Sequence, residues 1–370
     1  MNVLIKPVSG ACNLRCTYCF YFDEMANRAG GIYAPMTEQT AKAVIRRALT
    51  FADGPVTFAF QGGEPTLAGA DFYRHWVAEV NKRNHRGLPV TYALQTNGYH
   101  LEEDLLDVLH DNRFLVGVSL DGTQALHDRY RRTANGQATH EQILNTISKL
   151  KDKGIDYNVL CVVDKGVAIE GAAVYEALKR HGYLQFIPCM EPLEETGQPP
   201  ALDALSYGRF LVDLFDRYEQ DFKSGHYVSL SPFDNWIQML RGLPSGACGL
   251  NGFCSPNYLI ESDGSVYPCD FYALDDCLLG NVNEESFYAL EKHPRLVQFL
   301  NESRKADPAC LSCRWLTICR GGCKRERQQG PYAPLKRNRL CEGFLHFFNE
   351  CYDRLQALAN IPVTKAPVQT

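Results

Sequence analysis

Three cysteines near the N-terminus, Cys12, Cys16 and Cys19 in the run Ala11-Cys12-Asn13-Leu14-Arg15-Cys16-Thr17-Tyr18-Cys19, constrain this chain more than any other feature. A C-x3-C-x2-C triplet supplies three thiolates to a four-iron cubane and leaves one iron without a protein ligand. Clusters that only transfer electrons usually fill all four positions. An open iron admits a small chelating molecule, so the spacing points to chemistry at the cluster. A zinc site fits less well, because zinc motifs supply a fourth Cys or His at recognisable spacing.

The other cysteines reinforce this reading. Of fifteen in the chain, only Cys161 and Cys189 lie between the triplet and Cys248, and ten fall from Cys248 to Cys351. The N-terminus reads directly as a strand and shows no signal peptide, and no apolar stretch approaches the roughly 20 residues that span a bilayer. A cytoplasmic, soluble protein is therefore expected, without membrane association. Reduced thiols in that compartment argue for metal binding rather than a disulfide framework. The formal net charge of -5 gives no reason to expect nucleic acid as a partner.

With 370 residues, the chain is long enough for one large α/β domain and a smaller appended unit. Candidate strands are Val3–Ile5, Val56–Phe60, Val90–Leu94, Leu115–Ser119, Tyr157–Val163 and Leu184–Ile187, with helical patterns at Thr37–Ala52, Leu101–His110 and Thr139–Lys153 between them. Thr139 and Gln142 form a capping-box pattern for the last of these helices, and Gly154 is placed to end it. Repeated βα units imply a parallel sheet with covering helices. Periodicity alone fits an open doubly wound sheet as well as a barrel. A further helix is expected at Tyr207–Phe222, a hairpin around Asp263-Gly264, and a helix from Leu340 to Asn360 followed by a frayed tail.

Polar residues recur where these strands end: Gln61-Gly62-Gly63-Glu64-Pro65, Gln95-Thr96-Asn97-Gly98 and Ser119-Leu120-Asp121-Gly122. Ligands of parallel α/β folds bind at that edge. Together with the triplet, whose last cysteine follows the aromatic Tyr18, this resembles the radical S-adenosylmethionine (SAM) enzymes. The resemblance implies a partial (β/α)6 TIM-type barrel, with SAM chelated to the open iron and cleaved to a 5'-deoxyadenosyl radical. It implies SAM contacts from Tyr18, Gly62, Gly63, Glu64, Gln95, Ser119 and Arg131.

Eight later cysteines follow the pattern Cys248-x5-Cys254-x14-Cys269, then Cys310-x2-Cys313-x5-Cys319-x3-Cys323, then x17-Cys341. Cys310 and Cys313 alone would suit a zinc ribbon, but the whole pattern resembles the SPASM extension of radical SAM maturases. That resemblance implies two auxiliary clusters, one on Cys248, Cys254, Cys269 and Cys323 and one on Cys310, Cys313, Cys319 and Cys341. Three [4Fe-4S] clusters in all are expected. The implied domains are 1–235, a radical SAM partial barrel; 236–345, a cysteine-rich SPASM domain; and 346–370, a C-terminal helix and tail. Cys161, Cys189, Cys277 and Cys351 are left outside these sets.

From Ile5-Lys6-Pro7, through Gln61-Gly62-Gly63-Glu64-Pro65, to Tyr267-Pro268-Cys269-Asp270 and Gly321-Gly322-Cys323, the chain resembles the anaerobic sulfatase-maturating enzymes. These oxidise a Cys or Ser of a sulfatase, in a Cys/Ser-x-Pro/Ala-x-Arg motif, to Cα-formylglycine. The resemblance implies that Asp270 is the base, that Tyr21 and Gln61 hold the peptide or orient the cofactor, and that flavodoxin or ferredoxin donates electrons. One departure stands out: family members carry an Arg in a stretch like Val228-Ser229-Leu230-Ser231-Pro232-Phe233-Asp234, and here its position falls on Ser231. Losing that planar fork leaves the substrate peptide less determined than the chemistry. The alternatives are a maturase of another ribosomal peptide, making a thioether, a carbon–carbon link or an epimer, and a non-catalytic iron–sulfur carrier.

Overall fold

The computed structural model describes residues 1–194, 201–328 and 333–362. The expected frayed tail lies, from 363 onward, outside the described residues. Among those residues the strands are β1 (Asn2–Ile5), β2 (Val56–Phe60), β3 (Val90–Thr96), β4 (Leu115–Ser119), β5 (Tyr157–Val163), β6 (Tyr183–Pro188), β7 (Ser229–Ser231), β8 (Tyr258–Ile260), β9 (Ser265–Tyr267) and β10 (Gly280–Asn281). All six strands expected for the barrel form, and the Asp263-Gly264 hairpin is β8 and β9, paired antiparallel.

Packing divides the chain into two units that cut across its order in sequence. The first holds Met1–Ser119, Asp128–Tyr157 and Pro256–Leu300. The second holds Leu120–His127, Asn158–Ser255 and Asn301–Thr370.

In the first unit β1 to β4 pair in sequence order, all parallel. β8 adds to the other edge of β1, also parallel, and leads antiparallel into β9 and β10. Val56, Phe58 and Phe60 of β2 turn to one side and are buried, as a two-residue period requires. Helix Gly69–Arg83 covers them: the Trp76 ring meets those of Phe58 and Phe60 edge-on, with centroids 5.4 and 5.1 Å away. Such pairs add to the apolar burial of large rings. Helix Glu38–Phe51 begins as the sequence implies, with the Thr37 side chain accepting from Thr40 N–H at 3.1 Å.

Helix His140–Asp152 corrects one expectation. Thr139 is its N-cap residue, yet its side chain makes no capping bond. The hydroxyl donates to Arg131 O at 2.7 Å, and the Asp128 carboxylate accepts from Thr139 N–H and His140 N–H at 2.9 and 3.0 Å. The Asp128 carboxylate thus takes the N–H groups of the N-cap residue and of the first helical residue, while the threonine hydroxyl is engaged with Arg131. Gly154 does end the segment, at φ +68°.

In the second unit β5, β6 and β7 pair parallel. Helices Ala204–Lys223 and Cys341–Ala359 cross at Gly208 and Gly343, where a Cβ on Gly208 would lie 2.7 Å from the facing backbone. Phe215, Phe233, Trp236 and Phe347 pack around that crossing. Among the described residues, no helix is long and apolar enough to cross a membrane.

Candidate active site

The loop from β1 to helix Phe20–Ala26 carries the whole triplet, with Cys19 as the helix N-cap residue. Strand β2 ends against this loop. Gly63 N–H donates to Ser9 O at 2.9 Å and Glu64 N–H to Ala11 O at 2.8 Å. The two glycines are needed for that approach: a Cβ on Gly63 would lie 2.2 Å from Ala11 O, and one on Gly62, at φ +125°, 2.9 Å from Ser9 O. The Gly-Gly pair thus seats the cysteine loop.

Glu64 is fully buried and its carboxylate accepts four hydrogen bonds, from Thr66 N–H, the Thr66 and Thr96 hydroxyls, and Asn97 N–H, at 2.7 to 3.1 Å. Burial raises its pKa, and these donors oppose the rise. The side chain therefore ties β2 to the end of β3. Asn97 continues the link, its Nδ2 donating to Asn13 Oδ1 at 2.8 Å and lying 3.7 Å from Cys12 Sγ. Burial pushes the Cys12 thiol up to about 11, with Leu14 N–H, 3.4 Å from the sulfur, acting the other way.

The other residues expected around SAM gather on the same unit. The Arg131 guanidinium stands 5.4 Å from the Tyr18 ring centroid, and Arg15 N–H donates to Arg132 O at 2.7 Å. Gln95, exposed, and Ser119, buried, lie near the ends of the adjacent strands β3 and β4. Gln61 Nε2 is buried with no hydrogen-bond partner in the protein. An amide left so calls for an acceptor from a bound molecule.

Tyr21 and Asp270 belong to one buried polar array. The Tyr21 hydroxyl donates to Glu261, and Arg28 pairs with the same carboxylate at 2.7 Å, both charged side chains being 0% exposed. Burial, and then the Glu261 charge, raises the Tyr21 pKa; burial alone would lower that of Arg28, but Glu261 holds it above its ordinary value. Tyr21 therefore has its hydroxyl already engaged within the protein. Asp270 opens the turn Asp270–Tyr272 directly after Cys269. Its Oδ1 lies 3.0 Å from Lys6 Nζ, close enough for an ion pair, although neither atom makes a hydrogen bond. Lys6, Asn97, Arg28 and Glu261 were not singled out by sequence. The available signal was a lysine directly after an apolar strand, in Ile5-Lys6-Pro7.

In the second unit Cys310, Cys313, Cys319 and Cys341 line one cavity of about 70 Å³, with Trp315 and Phe348 in its wall. Burial pushes Cys319 up to about 11, helped by the other three thiols. Among the described residues no three His, Cys, Asp or Glu side chains converge on a single-ion site. A cubane takes its thiolates at separate corners, and four thiols around one cavity fit such a group. Cys323 is pushed up to about 12 by burial, with Glu326, Cys254 and Cys248 adding to the shift, so these three thiols are neighbours. Cys269 lies in the first unit. Cys161, Cys189 and Cys351 are buried, and Cys277 packs on the cluster of Tyr21, Met25, Leu259, Tyr267 and Ala273. Ser231 ends β7, its hydroxyl 3.2 Å from Asn235 Nδ2.

Residues 7–176 match the radical SAM superfamily and residues 253–314 an iron–sulfur cluster-binding domain, SPASM. The chain is 40% identical to the cysteine-type anaerobic sulfatase-maturating enzyme of Clostridium novyi, over 97% of both chains. The solved structure of native anSMEcpe with bound AdoMet superimposes with a TM-score of 0.94 at 37% identity, covering 98% of this chain and all of the other. That of native anSMEcpe with AdoMet and the Kp18Cys peptide gives 0.92 at 36% identity, over 97% and 99%. The expected α/β fold, a radical SAM core with a C-terminal SPASM domain, is that of these structures.

Proposed function

The chain belongs to the anaerobic sulfatase-maturating enzymes of the radical SAM superfamily, and from that premise we propose that it oxidises a peptidyl cysteine of a sulfatase to Cα-formylglycine. The observation that carries this reading is the 40% identity to a cysteine-type enzyme over 97% of both chains. Cys12, Cys16 and Cys19 would hold the SAM cluster, and the eight later cysteines would hold two auxiliary clusters. When bound, these groups would supply the one-electron chemistry at the substrate Cβ.

What remains falls to side chains of the protein. Once the Cβ hydrogen and one electron have gone, forming the C=S bond requires the thiol proton to leave. Asp270 accepts that proton as general base. Hydrolysis of the thioaldehyde, with loss of hydrogen sulfide, then gives the aldehyde. Gln61 Nε2, buried and unpartnered, donates to a carbonyl or carboxylate of bound peptide or SAM. Tyr18 and Arg131 present a ring and a guanidinium to the cofactor, and the Gly62–Gly63 backbone offers it main-chain groups. A reducing compartment, the cytoplasm, and an external one-electron donor such as flavodoxin or ferredoxin complete the proposal.

Anaerobic incubation with SAM, reductant and a Cys-x-Pro-x-Arg peptide tests it. Mass spectrometry should find the peptide two hydrogens lighter with its sulfur replaced by oxygen. Loss of two hydrogens with sulfur retained would instead assign thioether formation, and absence of 5'-deoxyadenosine would leave only an electron carrier.

A further inference from the structure

Lys6 follows β1 and only 1% of its side chain is exposed. Its N–H donates to Ile260 O at 2.9 Å, which registers it against β8. Its stem runs beneath Gly62, where an added Cβ would lie 3.0 Å from Lys6 Cγ and 3.2 Å from Lys6 Cβ. Its ammonium stands 3.1 Å from the Tyr21 ring centroid and 3.0 Å from Asp270 Oδ1. The ring is itself clamped, because the Tyr21 hydroxyl is held by Glu261 and Arg28. Strand, glycine and ring therefore fix the ammonium. Among the described residues its one ion-pair partner is Asp270.

Burying an ammonium without a full set of hydrogen bonds is costly, and an apolar side chain of equal length would fill the space under Gly62 at less cost. The charge needs another reason. Its contact with Asp270 lies off the hydrogen-bond axis, so the carboxylate keeps its lone pairs for a third group. A fixed charge at that distance holds the carboxylate in one place without occupying it.

We propose that Lys6 is the positioning residue for Asp270, holding the carboxylate where the peptide thiol must meet it. This role presupposes that Asp270 is the base. With only 1% of its side chain exposed, Lys6 acts through the carboxylate.

Lys6→Met keeps the stem and removes the charge. The reconstituted variant should hold as much iron as the unaltered chain, with an unchanged KM for the Cys-x-Pro-x-Arg peptide. It should still form 5'-deoxyadenosine and take deuterium from a labelled Cβ, yet aldehyde per 5'-deoxyadenosine should fall at least about tenfold. Lys6→Arg, with its charge kept but displaced, should give an intermediate yield. The double variant K6M/D270N should give the yield of D270N alone, since the two residues serve one function. A normal yield in K6M overturns the proposal, as does a further loss in the double variant. Should K6M fail to fold, K6R decides: lowered yield at normal iron content supports the role, and normal yield overturns it. Failure of the base assignment reads differently, because D270N alone would then make aldehyde at a near-normal yield.

Discussion

At the scale of single residues, Asp270 separates hydrogen-atom removal from proton removal. Asp270→Asn keeps size and hydrogen bonding but removes the base, so 5'-deoxyadenosine should still form with peptide present while aldehyde falls by at least about 10²-fold, as loss of a general base typically costs. Rapid-quench analysis of both products checks this; a variant that makes no 5'-deoxyadenosine at full iron content would place Asp270 earlier in the reaction. Asn97 gives a second prediction. Its Nδ2 lies 3.7 Å from Cys12 Sγ, and hydrogen bonds to ligand sulfurs raise cluster potentials. Asn97→Ala should therefore lower the potential of the triplet cluster in an EPR-monitored titration. Asp270 could be singled out in the sequence because it adjoins a cysteine pattern. For Lys6 the sequence offered only a lysine directly after an apolar strand, while its contacts with Asp270 and Tyr21 come from other parts of the chain, which that local signal does not encode.

Elements were legible where one local rule decides them. Strand β2 is bounded as its alternating Val56, Phe58 and Phe60 imply, and the hairpin follows from Asp263-Gly264, with Gly264 at φ +92°. The capping box at Thr139 failed because its hydroxyl donates to Arg131 O and because Asp128, on another element, takes the Thr139 N–H that the Gln142 side chain would have reached. Partners distant in sequence also hold helix Phe20–Ala26, whose Tyr21 is bonded by the Arg28–Glu261 pair beside β8. Removing one partner of a buried pair leaves the other charge uncompensated and costs about 3–5 kcal/mol. Arg28→Met should destabilise the chain by that amount in chemical denaturation, and a smaller loss in R28M/E261Q would trace the cost to the stranded carboxylate. Gly63→Ala should act on the cysteine loop instead. The new Cβ meets Ala11 O at 2.2 Å, so the loop must shift. Iron bound at the triplet should drop, and thermal stability should fall with it, because the atoms met are backbone.

For the whole molecule, the gap in the cysteine distribution announced separate metal-binding regions, but not how the chain packs. Pairing of β8 with β1 draws Pro256–Leu300, and with it Cys269 and Asp270, into the unit that carries the triplet. Periodicity identifies strands and is silent about such distant partners. The cysteine count still makes a firm prediction. Eleven cysteines in a set of three and two sets of four should bind about twelve irons after anaerobic reconstitution, four per cubane. Replacing Cys12, Cys16 and Cys19 by Ala should leave about eight and abolish 5'-deoxyadenosine formation. Replacing Cys310, Cys313, Cys319 and Cys341 should also leave about eight, but SAM cleavage should continue, because the triplet stands in the other unit. Equal iron in the two variants with opposite effects on SAM cleavage would divide the clusters by role. Loss of all iron from either variant would instead mean that the sites do not assemble independently, and zinc in place of iron would refute the cluster assignment for that set.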